Sequence, residues 1–364
     1  MAQNDKSQTV AREKDNTMTL RERTLAAMDH RLPDQVPAHF MGMDDWEAYM
    51  QSLGLADGDA LWQRLGIGVK RYFYGWKGPQ RTDEKGNSLQ AWGTPWEQSY
   101  TCVLFRPLAK AETAAEVDAH DWPDPSHCDF IPMREALKAD TTFVRGGSCW
   151  DPIFSRLCEL FGMERALENL YLNPIVIEAA LAHLDDFHTT YYRNEIEVCG
   201  EHLDIFGLGD DFAEQRQLII RPEHWRKYFK PLYAKWLAMG KAAGLRTWMH
   251  ACGAIGEVLP DLVDIGLDVW ETVQAHLPGS EPERLKREFG DRLVFAGGIN
   301  CQHVLGAGAP DQVREHVRER IRVLGRNGGY LCGPDHCIKP GVPFENVNAM
   351  YETIREFRGE GCTL

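Results

Sequence analysis

"RTWMHACGAIGEVLPDLVDIGLDVWETV", residues 246–273, contains a complete structural unit. "RTWMHAC" (246–252) has strand character, "IGEVLPDLVDIG" (255–266) has helical apolar spacing and ends at a glycine, and "DVWETV" (268–273) is strand-like again. A strand, a helix and a second strand in succession read as a crossover unit joining parallel neighbours. The first strand also ends on two chemically active groups, His250 and Cys252. Residues two apart in an extended chain share a face, so this imidazole and thiol can reach one ion at about 2.0–2.3 Å. A buried cysteine beside a hydrogen-bonded histidine is the ordinary reading of such a pair taken alone.

The same alternation extends in both directions. Strand candidates are "QVPAHFMG" (35–42), "FVRGGSC" (143–149), "LDIFGLGDD" (203–211), "LVFAGGI" (293–299) and "GGYLCG" (328–333). Between them lie amphipathic helices. "RPEHWRKYFKPLYAKWLAMGKAAG" has proline in its first turn and stops at Gly244, and "PDQVREHVRERIRVLGRNGG" follows the same plan. Roughly eight strands over this length favour a (β/α)8 (TIM) barrel over an open sheet. No G-x-G-x-x-G follows the first strand, which speaks against dinucleotide binding. The expected organisation is a flexible N-terminal extension over 1–20 and one barrel domain over 21–360. A Trp- and Tyr-rich β-hairpin insertion occupies about 72–106, with its turn at "EKGNS".

Barrel chemistry sits at the C-terminal ends of strands. "GDD" (209–211), "HACG" (250–253), "GGIN" (297–300) and "CGPDH" (332–336) fall there and are expected to converge on one mouth. Asp210 and Asp211 face opposite sides, so at most one of them points into it. The alternative role for this acid pair is to cap the helix that follows. A third metal ligand has to come from another strand end, and "YLCGPDHC" offers Cys332, His336 and Cys337. Three ligands and an open fourth position are what catalytic zinc requires.

The whole chain narrows the choice of partners. It has 364 residues, 43% of them hydrophobic, and a net charge of -14. That acidity argues against a nucleic-acid or anionic-membrane partner. No apolar run approaches the ~20 residues that span a bilayer, and the polar N-terminus has no signal-peptide core. Cytoplasm is the expected location, and oligomerisation is left open. The ten cysteines are scattered, which does not suggest a disulfide framework.

"MDHRLPDQVPAHF", "GDDFAEQRQLIIRPEHWRKYFKP", "HACGAIGEVLPDLVDIGLDVWETVQ", "FGDRLVFAGGINCQHVL" and "GGYLCGPDHCIKPGVPFENVNAMYE" together resemble the uroporphyrinogen decarboxylase superfamily over residues 20–358. The resemblance implies a (β/α)8 barrel and two branches of function. The decarboxylase branch holds an acidic tetrapyrrole with arginines in an early "RQAGRY"-like segment. Here "VPAHFMGMDDWEAYM" carries Asp44, Asp45 and Glu47 and no arginine pair. The other branch comprises corrinoid (cobalamin)-dependent methyltransferases, in which an H-x-C pair and a late cysteine bind Zn2+. His250, Cys252 and Cys332 fit that pattern. Anchoring on Ile338 and Pro340 instead puts His336 at the late position, as the alternative third ligand. Cys337 has the opposite parity and reads as structural.

The resemblance therefore implies methyl transfer between a small substrate and a corrinoid cobalt. The substrate would be a methoxyarene, another methylated compound or a thiol. The barrel accounts for the chain, so the corrinoid is expected on a separate protein. Asp211 and His336 are the catalytic candidates; Asp210, Gln215, Trp150 and Gln274 are the substrate-binding candidates. Trp46, Trp76, Trp92 and Trp96 are further candidates for an aromatic pocket. Glu257 and Glu271 are weaker candidates as extra acids at the zinc site. A metal-independent decarboxylase and a non-enzymatic corrinoid- or metal-binding barrel are the competing readings.

Overall fold

The computed structural model describes residues 17–96 and 106–357. Its centre is a parallel sheet of seven strands: β1 (Val69–Arg71), β2 (Val144–Gly146), β3 (Ile205–Gly209), β4 (Arg246–His250), β5 (Val269–Val273), β6 (Val294–Ile299) and β7 (Tyr330–Pro334). Each strand pairs with the next in chain order. The ring closes through the segment around Ala38, which forms parallel bridges to both Ile67 and Cys332. His39 N–H donates to Cys332 O at 2.8 Å, and Cys332 N–H donates to Pro37 O at 2.9 Å. This segment, read above as a strand over 35–42, supplies the eighth stave of a (β/α)8 barrel.

Val144, Ile205, Trp248, Val269, Val294, Ala296 and Leu331 fill the barrel interior. Ala27 and Met28 join them from the first helix, Leu20–Met28, which plugs the floor. Thr19 caps that helix through a reciprocal bond with Glu22. The long 221–244 stretch runs as Pro222–His224, a wide turn over Trp225–Phe229, and Lys230–Ala242. The wide turn, closed by Lys230 N–H to Trp225 O, makes room for the ring of Pro231, which has no N–H for the ladder.

The insertion is more divided than one hairpin. Arg81–Thr82 pairs with Ser88–Leu89, and Asp83 Oδ1 accepts from the N–H groups of Lys85 and Asn87 to form the turn. Gly75–Trp76, however, pairs with Cys128–Asp129. Residues 97–105 of the expected insertion and 1–16 of the expected extension lie outside the described residues. Among the described residues, no helix is long and apolar enough to cross a membrane.

Candidate metal centre

β3 carries glycine at its end for a steric reason. A Cβ on Gly209 would sit 1.8 Å from Cys149 O, so only glycine lets the 148–150 segment cross the barrel top. That crossing lays Trp150 edge-on against His250, with ring centroids 5.5 Å apart. Gly253 terminates the H-x-C segment at φ +87°, and a Cβ there would meet the Ala213 backbone at 2.8 Å. Its N–H donates to Gln274 Oε1 at 2.7 Å, which pins the loop carrying Cys252.

One ligand atom each from His250, Cys252 and His336 lies within 4.8 Å of the others. His250 comes from the end of β4, Cys252 from the loop after it, and His336 from the loop after β7. His250 Nδ1 lies 3.3 Å from Glu271 Oε2, which leaves Nε2 facing the group. A carboxylate behind a histidine fixes its tautomer and orientation, as around ligating histidines generally. Asp211 Oδ1 is 3.6 Å from His250 Nε2, and Cys252 N–H donates to it at 3.4 Å. Burial alone would lower the His250 pKa, but hydrogen bonding to Asp211, Cys252 and Glu271 outweighs it and holds the imidazole well above its ordinary value. Burial would raise Asp211, yet the hydrogen bond and charge of His250 bring it down to about 2. Glu271 is likewise held well below the carboxylate range, against its burial, by the hydrogen bond of His250 and by the neighbouring His39 and Arg71. Burial raises the Cys252 thiol. His336 differs in one respect: its Nδ1 accepts the N–H of Cys337 at 2.8 Å, a bond that ligation of a cation would have to displace.

The third member of the group is thus His336. Cys332, the other candidate for that role, lies elsewhere. Leu331 points into the barrel, so Cys332 faces the helix layer, fully buried, with its thiol toward Tyr330 and Tyr351. The parity shared with His336 breaks because the chain turns after Pro334. Asp210 also needs correction as a substrate-binding residue. Its carboxylate accepts the N–H groups of Ile153, Phe154 and Ser155 and the Tyr233 hydroxyl at 2.6–3.1 Å. It staples the start of the helix Phe154–Phe161 and is fully buried.

Two cavities meet at His250, Cys252 and His336. The inner one, about 330 Å³, is lined by His250, Asp211, Trp150, Glu271, Arg71 and apolar neighbours. The outer one, about 550 Å³, is lined by Cys252, Gln215, Gln274, Cys301 and Lys339 among others. His336 lines both. Of the five tryptophans singled out, Trp150 reaches the inner cavity. Trp46 and Trp76 are half-buried against the core, Trp92 packs on Phe187, and Trp96 is 62% exposed. Glu257 is exposed and away from both cavities. Cys337 borders the outer cavity, with its Sγ 3.4 Å from Asp44 Oδ1.

Sequence reasoning missed His39, Arg71, Cys149 and Trp248, which also line the inner cavity. His39 Nε2 lies 3.5 Å from Glu271 Oε1, and burial lowers its pKa to about 4, so it is neutral near pH 7. A bulge brings Glu271 and Gln274 to opposite tasks. The pairing of β5 with β6 skips Thr272, which sits at φ +67°, unusual for a β-branched residue. Glu271 then faces the inner cavity and Gln274 the outer one.

Comparison with known proteins agrees with this architecture. The chain is 24% identical to the methylcobamide:CoM methyltransferase MtaA of Methanosarcina barkeri over 169 residues, 46% of this chain and 45% of that protein. It is 23% identical to a uroporphyrinogen decarboxylase of Microcystis aeruginosa over 193 residues, 51% of this chain and 50% of that protein. The chain spans about half the length of these curated relatives. A solved structure, a methyltransferase from Methanosarcina mazei, superposes with a TM-score of 0.64 at 19% identity, covering 93% of this chain and 99% of that one. The profile of the uroporphyrinogen decarboxylase (URO-D) family matches residues 151–357, more than half of the chain. The chain belongs to the uroporphyrinogen decarboxylase family.

Proposed function

We propose that this protein is a zinc-dependent methyltransferase that moves a methyl group between a small substrate and the cobalt of a corrinoid carried on a separate protein. The substrate is a methoxyarene, another methylated compound or a thiol. The observation that carries the reading is the group His250, Cys252 and His336 standing between two cavities, one inside the barrel and one at its mouth. The similarity to a methylcobamide:CoM methyltransferase supports the same class of chemistry.

The donor set suits zinc: one sulfur and two nitrogens, close enough to share an ion, with a carboxylate behind one histidine. Zinc bound there supplies a Lewis acid that activates a thiol as thiolate or stabilises the phenolate left by an aryl methyl ether. Glu271 holds His250 with Nε2 facing the ligand group. Asp211 accepts the Cys252 N–H, which places its carboxylate to orient a polar substrate group or accept a proton from it. Trp150 and Trp248 supply aromatic walls. A small inner cavity with a single arginine suits a small substrate better than an acidic tetrapyrrole. In this reading the barrel, residues 21–360 with the 72–106 insertion, is one catalytic domain working in the cytoplasm, and the outer cavity faces the corrinoid protein.

The test is a screen of methoxyarenes and thiols with cob(I)alamin and methylcobalamin, following cobalt absorbance. Zinc-loaded protein is expected to convert at least one donor or acceptor. No conversion across the panel, with porphyrinogen decarboxylation unaffected by Cys252→Ser, contradicts the proposal.

A further inference from the structure

The inner cavity is lined by one arginine, whose charge acts on Glu271 from beyond ion-pair distance. Glu271 lies against His250 and the neutral His39, Asp211 against His250, and Glu159 against Arg156. Arg71, at the end of β1, lines the same cavity, and among the described residues no carboxylate lies within 4.0 Å of its guanidinium. Its Nη1 makes one long hydrogen bond, to Gly147 O at 3.4 Å. Its Nη2 is out of contact with solvent and has no hydrogen-bond partner among the described residues. The guanidinium carbon lies 4.6 Å from the centroid of the Trp248 ring, a cation–π contact that helps hold the group in place. A buried donor left unmade in this way is costly, and a held guanidinium edge is suited to the two oxygens of a carboxylate. The rest of the wall is largely apolar: Phe40, Met41, Ile67, Val69 and Trp150. About 330 Å³ is near the lower end for ligand pockets and suits a body the size of one aromatic ring.

We infer that Arg71 is the anchor for an anionic group on the substrate, and that the substrate is a small apolar or aromatic body bearing one carboxylate-like oxyanion. This rests on the methyl-transfer reading for what the substrate does, but not for what it binds. Recognition depends on a buried donor, so a neutral analogue lacking the oxyanion is discriminated against strongly.

Binding is measured by calorimetry with benzoate and benzamide, on zinc-loaded and zinc-free protein. Wild type is expected to bind benzoate at least about tenfold tighter than benzamide. Arg71→Met removes that preference, and Arg71→Lys restores part of it. In turnover with cob(I)alamin, Arg71→Met raises the KM for 3-methoxybenzoate by about tenfold or more and leaves the KM for 3-methoxybenzamide unchanged. Equal binding of benzoate and benzamide by wild type overturns the inference without recourse to any variant. So does benzoate binding that survives Arg71→Met and disappears with zinc, which places the carboxylate on the metal. The two readings fail separately. Methyl transfer indifferent to substrate charge removes the anchor and keeps the methyltransferase. Arg71-dependent benzoate binding without any methyl transfer keeps the anchor and removes the methyltransferase.

Discussion

The two cavities flanking His250, Cys252 and His336 are built on opposite principles. The inner one holds ionisable groups that are buried and matched to one another, with Glu271 at the centre of His250, His39 and Cys149. The outer one is lined by the amides of Gln215, Gln274 and Gln302, by Glu214, Asp335 and Lys339, and by loop backbone, and Glu214, Gln215 and Lys339 on its rim are exposed. A buried, mutually held set is preorganised and cannot adapt, as chemistry on a small molecule requires. Contacts to an exposed rim of polar and charged loop side chains can be made and remade, as transient docking requires. Under the proposed function, that contrast assigns the inner side to the substrate and the outer side to a protein partner.

The hardest test of that division is the shared boundary. His250→Ala removes a candidate ligand from the inner side and Cys252→Ala one from the outer side. Each is expected to retain less than about a third of an equivalent of zinc by inductively coupled plasma analysis, with methyl transfer lost. Cys332→Ser is expected to keep full zinc occupancy, because its thiol faces the helix layer; zinc loss in that variant would return Cys332 to the ligand set.

Glu271→Gln probes the inner side alone. It keeps the shape and weakens the hold on His250, so zinc affinity or activity is expected to fall about 10–100-fold. A chelator competition measures it, and an unchanged affinity would mean that the matched inner set has no role at the metal.

The outer side is expected to be far more tolerant. Gln215→Ala removes one exposed amide, worth roughly 2–10-fold at most in KM for the corrinoid protein and nothing in KM for the small substrate. An effect on the small substrate would collapse the distinction between the cavities.

The smallest effect concerns the polar cluster behind Arg71. Burial and the neighbouring Asp151 raise Glu195 from its ordinary value to about 8. The folded state therefore holds this proton more tightly than the unfolded chain. The resulting stability is fully present below about pH 4.5 and is lost as pH rises toward 8. Glu195→Gln is expected to be on the order of 1–2 kcal/mol more stable than wild type at pH 8.5 and near neutral in effect at pH 5, by urea unfolding. An identical pH slope in both proteins would mean that Glu195 is ionised throughout.

Much of this was legible because strand parity and glycine stops are local. The barrel followed from strand–helix alternation, and the joint direction of His250 and Cys252 followed from their spacing. β1 was missed because Val69–Arg71 is three residues long, half-buried and two-thirds basic, so it carries no apolar run. Arg71 went unread with it. The choice between Asp210 and Asp211 was not local either. The N–H groups that claim Asp210 arrive from residues 153–155, on the helix after β2. Cys332 and His336 were separated by a turn after Pro334, where extended-chain parity no longer applies.

The most direct test of the central claim is a titration of zinc into metal-free protein while methyl transfer to or from cobalamin is followed by absorbance. The rate is expected to rise linearly and break at one equivalent in wild type, with no rise in Cys252→Ala. A rate that is present without zinc, or that ignores added zinc, would contradict a metal-centred mouth between the two cavities.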